Sequence, residues 1–177
     1  MNRMSACVVA FLAAAIASIH GIALAEPKPS TSTGNADAAK AARAVVEQGL
    51  ATVERMEVEA FRAIATPDLI AFDMDLEAKP VRMGSLNDAI AYVEAITAEA
   101  KKMGATLKFE NVKSDVHTTS DMAYCLVDYD FAATMPDGSR TVQPSRTTVV
   151  LTKVDGAWKW AHWHTSLSAP MTTSAKK

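Results

Sequence analysis

The stretch DGAWKWAHWHTS, residues 155–166, is the most informative part of this sequence. It contains all three tryptophans of the chain and two of its four histidines. The Asp-Gly pair at its start is a hairpin-turn signal, and the residues after it are typical of a β-strand. Alternation does not tell which face of this strand points inward. It predicts one face with Trp158, Trp160, His162, His164 and Ser166, and another with Ala161, Trp163, Thr165 and Leu167.

Three further β-strands are predicted upstream of this one. Apolar and β-branched runs cover residues 106–116, 122–134 and 146–154, and the last strand covers 158–167. Turn sequences separate each run from the next. Long strands joined by such short turns predict antiparallel pairing.

Helices are predicted before these strands. A first helix begins at Asp37, and a shorter one ends before Thr66-Pro67, because the residue ahead of a proline avoids helical space. A strand over residues 69–74 follows, and a long helix begins after Ser85 and runs to about Met103. Apolar residues recur along one face of each helix: Val46, Leu50 and Val53, then Val58, Phe61 and Ile64, then Leu86, Ile90, Val93 and Ile96.

Helices followed by long strands predict the α+β fold class, with N-terminal helices packed on the concave face of a curved antiparallel sheet. Such a sheet leaves a cavity with apolar walls at its open end. The 177 residues, 49% of them hydrophobic, suit one domain with a real core. The formal net charge of −2 shows no basic excess, so we expect no nucleic-acid partner.

Residues 1–25 are predicted to be a secretory signal peptide. Arg3 supplies a basic start, the apolar run 8–19 is short for a membrane span, and Ala23-Leu24-Ala25 fits a cleavage site. Residues 26–36, rich in Pro, Ser and Thr, are predicted to be a flexible leader. We therefore expect a periplasmic or secreted protein, cleaved after Ala25, with no membrane span in its mature form.

The stretch at residues 155–166 resembles the D-G-x-W-x-x-x-H-x-H-x-S ending of SnoaL-like domains. It also resembles the association domain of calcium/calmodulin-dependent protein kinase II, which shares the nuclear transport factor 2-like superfamily. The likeness continues in family order at Glu47-Gln48, at PDLIAFDMD (67–75), at Gly84 and in the strand around Ala123. It covers about residues 40–168, and its ending is more specific for the superfamily than for any one activity.

This resemblance implies a cone-shaped roll over residues 37–168, followed by a C-terminal tail at 169–177. It also implies a homodimer formed through the outer surface of the sheet. Members use the pocket differently, since some are isomerases or cyclases, some bind ligands and some only assemble. The fold alone therefore does not select one function.

The resemblance implies two catalytic residues. In the ketosteroid isomerase branch, a general-base aspartate lies nine positions before the glycine that precedes the long helix, and the same count back from Gly84 leads to Asp75. Asp73 shares its strand face and is the alternative. Tyr129 would donate its hydroxyl to the enolate oxygen that such a base creates. A purely structural alternative is that Asp75 is an ordinary loop residue after a strand.

The same resemblance suggests which residues contact a ligand. Three arginines of the kinase association domain bind an anion, and the matching positions here are Tyr129, Val149 and Thr165, none of them basic. This argues against a bound carboxylate, but it implies that these positions face inward. The predicted ligand-binding residues are Phe61, Asp73, Val149, Trp163 and Thr165.

His162 and His164 lie two positions apart on one strand, as a pair of metal ligands would. A site would need a third ligand, and His117 is available on another strand, but no H-x-x-x-H or C-x-x-C spacing supports it. We expect no metal and no cofactor. The resemblance instead directs this pair to the outer face, as packed or interface histidines.

Three functions stay open at this point. The first is an exported protein that binds a small, largely apolar ligand in its conical pocket. The second is a cofactor-independent isomerase, cyclase or hydratase that moves a proton with Asp75 and Tyr129. The third is a dimeric assembly or accessory module without catalytic activity. Local motifs do not name the ligand, because pocket shape depends on long-range packing.

Overall fold

The computed structural model describes residues 36–75 and 79–174. The predicted signal peptide, 1–25, and the predicted leader, 26–36, lie outside these residues except for Ala36. No helix in the described part is long and apolar enough to cross a membrane. The helices are α1 (Ala36–Glu54), a 3-10 helix (Val58–Ile64) and α2 (Leu86–Met103). The strands are β1 (Ala65–Met74), β2 (Pro80–Met83), β3 (Thr106–Thr118), β4 (Met122–Thr134), β5 (Arg140–Val154), β6 (Ala157–Leu167) and β7 (Thr172–Ser174).

Within the described residues, all seven strands belong to one sheet, in which six follow the order β2-β1-β6-β5-β4-β3. β7 pairs with the start of β5, on the same edge of β5 as β6 but before the residues that pair with β6. Neighbouring strands are antiparallel except β1 and β6, which are parallel. The helices pack on the concave face, so the predicted α+β class is confirmed, with one parallel pair in the sheet.

Local sequence signals set the ends of α2. The Ser85 hydroxyl accepts the N–H of Asp88 at 3.2 Å, and the Asp88 carboxylate accepts the N–H of Gly84 at 3.1 Å. Gly104 ends the helix in the left-handed region, at φ +67°. The predicted start after Ser85 and end near Met103 are both confirmed.

Two strands were not predicted, and others are longer than predicted. β5 begins at Arg140 and not at Arg146, β1 begins at Ala65 and not at Leu69, and β3 ends at Thr118 and not at Val116. β2 is short, and β7 is exposed throughout and lies inside the predicted tail, 169–177. β2 has only four residues, too few for its alternation to be a clear signal, and β7 has no apolar residue. Each is held by backbone pairing with a longer strand.

A β-bulge interrupts β6. Trp160 pairs with Leu151 and His162 pairs with Val150, so Ala161 is an extra residue between two successive pairs. An extra residue exchanges the two faces of a strand at that point. Strict alternation therefore fails in the middle of β6.

Because of this bulge, the tryptophans on either side of it are all buried in one core cluster. Trp158, Trp160 and Trp163 are 5–6% exposed. The prediction that Trp158 and Trp160 share a face with His162 and His164 is wrong. Only the residues after the bulge keep the predicted assignment, with Trp163 inside and the histidines outside.

The outer face of the sheet carries apolar side chains. Phe72 on β1 and Leu126 on β4 are 39% and 44% exposed. Strand register sets them in one row, with His164 and Thr148 between them. The Phe72 ring meets the rings of His162 and His164 edge-on.

Candidate functional site

A cavity lies between the helices and the concave face of the sheet. Its walls come from α1, the 3-10 helix, α2, strands β3 to β6 and the end of β1. It encloses about 120 Å³, which is close to the size of cavities that hold one benzene-sized molecule. Most lining side chains are apolar: Val46, Leu50, Val53, Val58, Phe61, Ile90, Val93, Ile96, Phe109, Val127, Phe131, Val149, Trp160 and Trp163.

Aromatic rings form two walls of the cavity. Phe61 meets Trp160 and Trp163 edge to face, with ring centroids 5.3 and 5.8 Å apart. Phe109 on β3 meets Tyr129 on β4 in the same way, at 5.0 Å. Edge-to-face packing holds each ring in one orientation. A molecule in the cavity would therefore contact rigid aromatic surfaces.

Asp73 is the carboxyl group that is bonded into the cavity wall. Its Oδ1 accepts the N–H of Met74 at 2.8 Å, and its Oδ2 accepts the Trp163 indole N–H at 2.9 Å and the Thr165 hydroxyl at 3.3 Å. Burial raises the pKa of Asp73, and these hydrogen bonds offset part of the rise because they favour the charged form. A carboxyl with a raised pKa in a largely apolar cavity has the chemistry of a general base.

Hydroxyl groups continue from Asp73 along the wall. Thr165 Oγ1 lies 2.9 Å from Thr147 Oγ1, which lies 2.9 Å from Tyr129 Oη. Thr147 and Thr165 meet because the register of β5 and β6 pairs them directly. Burial, assisted by the nearby Asp73, raises the pKa of Tyr129 to about 12. The phenol therefore keeps its proton at neutral pH and can donate it in a hydrogen bond.

Tyr92 on α2 closes the site beside Asp73. Its hydroxyl donates to the Met74 carbonyl at 2.7 Å, which ties α2 to the last residue of β1. Burial raises the pKa of Tyr92, and the charge of Asp73 raises it further. The ring lines the cavity, so Tyr92 holds β1 in place and is also a wall residue.

Asp75 lines the cavity too, and it makes two hydrogen bonds typical of a turn. Its Oδ1 accepts the N–H of Lys79 at 2.9 Å, and its own N–H donates to the Lys79 carbonyl at 2.9 Å. Such local bonds are what a loop aspartate commonly makes. Of the two carboxylates, Asp73 is the one bonded to the side chains of Trp163 and Thr165.

The structure brings the predicted site residues together around this one cavity. The residues that line it include Phe61, Asp73, Asp75, Tyr129, Val149, Trp163 and Thr165. The inward direction implied for Tyr129, Val149, Trp163 and Thr165 is the one observed. Their roles in binding and catalysis stay predictions.

Sequence reasoning missed Tyr92, Thr147 and Trp160 as cavity residues. Thr147 has a usable signal, because it lies two positions from Val149 on one strand and must share its face. Tyr92 lies beside the apolar stripe that defines α2, not on it. Trp160 reaches the cavity through the β6 bulge, which no local pattern reveals.

His162 and His164 lie on the outer face of the sheet. Nδ1 of His162 is 2.8 Å from the carbonyl oxygen of Ile70 on the neighbouring strand. Over residues 36–75 and 79–174, no group of three or more His, Cys, Asp and Glu side chains is arranged to hold a metal ion. The two rings instead take part in strand packing around Phe72.

Comparison with protein families gives one match over most of the domain. A model of the SnoaL-like domain matches residues 42–171. A comparison of the sequence with curated proteins finds no match.

Several solved structures share the fold at low sequence identity. A presumed dehydratase of the NTF2-like family from Streptomyces avermitilis has a TM-score of 0.64 and 14% identity, over 76% of this chain and 99% of that one. A hexachlorocyclohexane dehydrochlorinase has a TM-score of 0.60 and 12% identity, over 79% and 90%. An NTF2-like superfamily protein from Salmonella enterica serovar Typhimurium has 0.59 and 15%, over 77% and 95%. At such identities, the likeness shows the fold alone.

Proposed function

The chain belongs to the SnoaL-like domain family, and from this premise we propose that its cavity binds a small, largely apolar molecule. The observation that carries the proposal is a cavity with aromatic walls into which one carboxyl group, Asp73, is hydrogen-bonded. Apolar walls with a few converging polar groups are the usual form of a small-molecule site.

The ligand is expected to be uncharged. The ionisable side chains among the described lining residues are Asp73, Asp75, Tyr92 and Tyr129, without a lysine, arginine or histidine. An anion would meet carboxyl groups with no compensating cation, which is costly away from water. A cation would have to give up its hydration in a cavity whose walls are mostly apolar, which is also costly. A neutral molecule with an oxygen that accepts a hydrogen bond fits this lining best.

A cofactor-independent proton transfer is the second candidate function, and the burial and raised pKa of Asp73 favour it. We assign the base to Asp73 and not to Asp75, because Asp73 combines burial with hydrogen bonds from cavity side chains. Asp73 takes a proton from a carbon beside a carbonyl, and Tyr129 donates to the oxygen where negative charge develops. The names of two similar structures, a dehydratase and a dehydrochlorinase, support this candidate.

We also propose that two copies of the chain associate through the outer face of the sheet. Phe72 and Leu126 are exposed in one row there, and exposed apolar patches on a sheet commonly mark interfaces. A homodimer would cover this row, which includes His164, and His162 beside it. The third function, an assembly module, would need this contact and not the cavity.

Export is a further part of the proposed function. The basic start, short apolar run and small-residue site at 23–25 support a cleaved signal peptide and a periplasmic or secreted domain. The mass of the protein recovered from its own host tests this, since cleavage after Ala25 leaves residues 26–177. A product that retains residues 1–25 would contradict it.

Native mass spectrometry of the protein purified from its own host tests ligand binding and association together. A stoichiometric organic adduct on a dimer is the expected result. Val149→Phe, a buried wall position, should fill the cavity and abolish the adduct. Val150→Phe, the next residue on the opposite face of β5, is the matched control and should retain it. An adduct that survives Val149→Phe lies elsewhere and would overturn the proposal, and a clean apo dimer would favour an assembly module.

Once the adduct is identified, two aspartate variants separate binding from proton transfer. Asp73→Asn keeps the size of the side chain but removes the base, so turnover should be lost while binding remains. Asp75→Asn should retain turnover. If Asp75→Asn loses turnover and Asp73→Asn retains it, the base is Asp75. If the parent binds the ligand but shows no turnover, the protein only binds this ligand.

A further inference from the structure

Two buried threonines connect the polar side chains of the proposed site. From Asp73 Oδ2 it is 3.3 Å to Thr165 Oγ1, then 2.9 Å to Thr147 Oγ1, then 2.9 Å to Tyr129 Oη. Both threonines are only 6% exposed. Each hydroxyl has a single proton to donate. The direction of each hydrogen bond in this row is therefore set by its neighbours.

The protonation state of Asp73 controls the direction of the row. A carboxylate can only accept, so Thr165 donates to it and must itself accept from Thr147. Thr147 then accepts from Tyr129. When Asp73 takes up a proton it becomes a donor, and each threonine can reverse its bond. The Tyr129 proton is then directed into the cavity.

We propose that Thr165 and Thr147 form a proton relay between Asp73 and Tyr129. This inference rests on the proposed proton-transfer function and deepens it. The two ends of the relay stand on β1 and β4, with β6 and β5 between them in the sheet. They therefore face different atoms of one bound molecule, with a base at one end and an acid at the other.

The relay balances as one proton taken up and one released. Asp73 takes the proton of a C–H bond, and the electron pair of that bond stays on the ligand. One proton then shifts along each of the three hydrogen bonds, and Tyr129 gives its proton to an oxygen of the ligand. The protein returns to its starting protonation, so the reaction consumes no second reactant.

This balance defines the substrate class. A carbonyl compound would lose its α-proton to Asp73 and gain a proton on oxygen from Tyr129, which yields the enol. A β-hydroxy carbonyl compound would lose the same proton, break its C–O bond, form a C=C bond and release water with the proton from Tyr129. Both are neutral and carry a hydrogen-bonding oxygen, as the cavity lining requires.

The threonine hydroxyls have no evident role in packing. Valine has the same shape and would fill either position, but it would remove the hydrogen bonds that reach Asp73 and Tyr129. Burial also raises the pKa of both ends of the row, Asp73 and Tyr129. At neutral pH, the tyrosine therefore holds its proton until the other end of the row supplies a replacement.

The test is a pH titration of the ligand-free full chain, labelled with ¹³C at tyrosine Cζ and aspartate Cγ. The chain has three tyrosines, so Tyr129→Phe identifies the Tyr129 signal, and Asp73→Asn identifies that of Asp73. In the parent, the Tyr129 signal should shift in step with the titration of Asp73, because the hydrogen bond made by its hydroxyl reverses there. In Thr147→Val this step should be lost while Asp73 still titrates.

Conservative variants distinguish the relay from a structural effect. Thr147→Ser keeps the hydroxyl and should restore the step. Thr148→Val, the next threonine on the opposite face of β5, is the matched control and should leave the step unchanged. Thr165→Val should abolish the step as Thr147→Val does, which provides a second break in the row.

The charge of Asp73 could also shift the Tyr129 signal through space, and the same experiment distinguishes this effect from the relay. If Thr147→Val and Thr165→Val both retain the full step at Tyr129, Asp73 acts only through space and the relay is wrong. Absence of the step in the parent would also overturn it. The titration uses ligand-free protein, so neither of these results bears on whether the cavity binds a ligand. An empty cavity in the native mass spectrum would count against the proposed function instead.

Discussion

The indole nitrogen of Trp163 donates a hydrogen bond of 2.9 Å to Oδ2 of Asp73. The two residues are 90 positions apart and meet because β1 and β6 are neighbouring parallel strands. Burial disfavours the charged form of Asp73, whereas this bond favours it. These two opposing effects together set the pKa of Asp73, so substitutions at either residue should shift it.

Asp73→Asn should gain stability relative to the parent as pH rises. The folded pKa of Asp73 lies above its ordinary value of 3.8, so between those two pKa values the native state binds more protons than the unfolded state. The stabilising contribution of Asp73 is then complete below its unfolded pKa and is lost as pH rises through its folded pKa. Asparagine does not titrate, so other groups cancel in the comparison of variant with parent.

Urea unfolding of parent and Asp73→Asn at a series of pH values measures this difference. The stability of the variant relative to the parent should grow with pH through that window and then level off. A difference that shrinks as pH rises would show that the folded pKa of Asp73 is lowered, contrary to the burial argument.

Trp163→Phe should raise the pKa of Asp73 further. The change keeps an aromatic ring beside Phe61 but removes the N–H that stabilises the carboxylate. Hydrogen bonds to charged groups contribute about 1.5–3 kcal/mol, so a loss of that order is expected when Asp73 is charged. NMR titration of the Asp73 carboxyl carbon measures the pKa directly. Trp158→Phe is the control, because the ring of Trp158 packs under Lys153, and it should leave the titration unchanged.

Gly49→Ala should destabilise the fold, although alanine is the better helix former. A Cβ at Gly49 would lie 2.5 Å from Cζ2 of Trp160, whose indole N–H donates to the Val45 carbonyl on the same helix. Overpacking of this kind costs about 1–3 kcal/mol, more than the gain of about 1 kcal/mol in helix propensity.

Thermal unfolding of Gly49→Ala and of a second glycine variant checks this prediction. Gly84→Ala is the matched control, because its Cβ would meet its nearest atom at an ordinary 3.5 Å, and it should unfold at or near the temperature of the parent. An increase in melting temperature for Gly49→Ala would mean that Trp160 moves aside at little cost.

Leu126→Asp should convert the proposed dimer to a monomer. It places a charge on the outer face, opposite Thr148 and at the other end of the row from Phe72, and burying an unpaired charge at an interface is strongly unfavourable. Sedimentation at micromolar concentration measures the change. Val154→Asp, at another exposed apolar position near the end of β5, should remain dimeric. A parent that sediments as a monomer would refute the homodimer itself.

Much of the fold follows from local signals. The Ser85 cap and the Gly104 terminus depend on neighbours within a few residues and occur where predicted, and each long strand of the second half overlaps its predicted range. The signals fail where pairing with a distant strand decides the structure. β7 has no apolar pattern of its own and exists because β5 offers an open edge.

The sequence by itself determined the α+β class, the family and several of the residues around the cavity, because apolar periodicity and the closing motif are properties of contiguous residues. Only the tertiary structure decided which residues act together in it. The bulge at Ala161 turned Trp160 inward, and the pairing of β1 with β6 joined Asp73 to Trp163 and Thr165. Two aspartates two positions apart look equivalent along the chain. They differ because strand pairing gives Asp73 hydrogen bonds from Trp163 and Thr165, whereas Asp75 accepts the N–H of Lys79 in a turn.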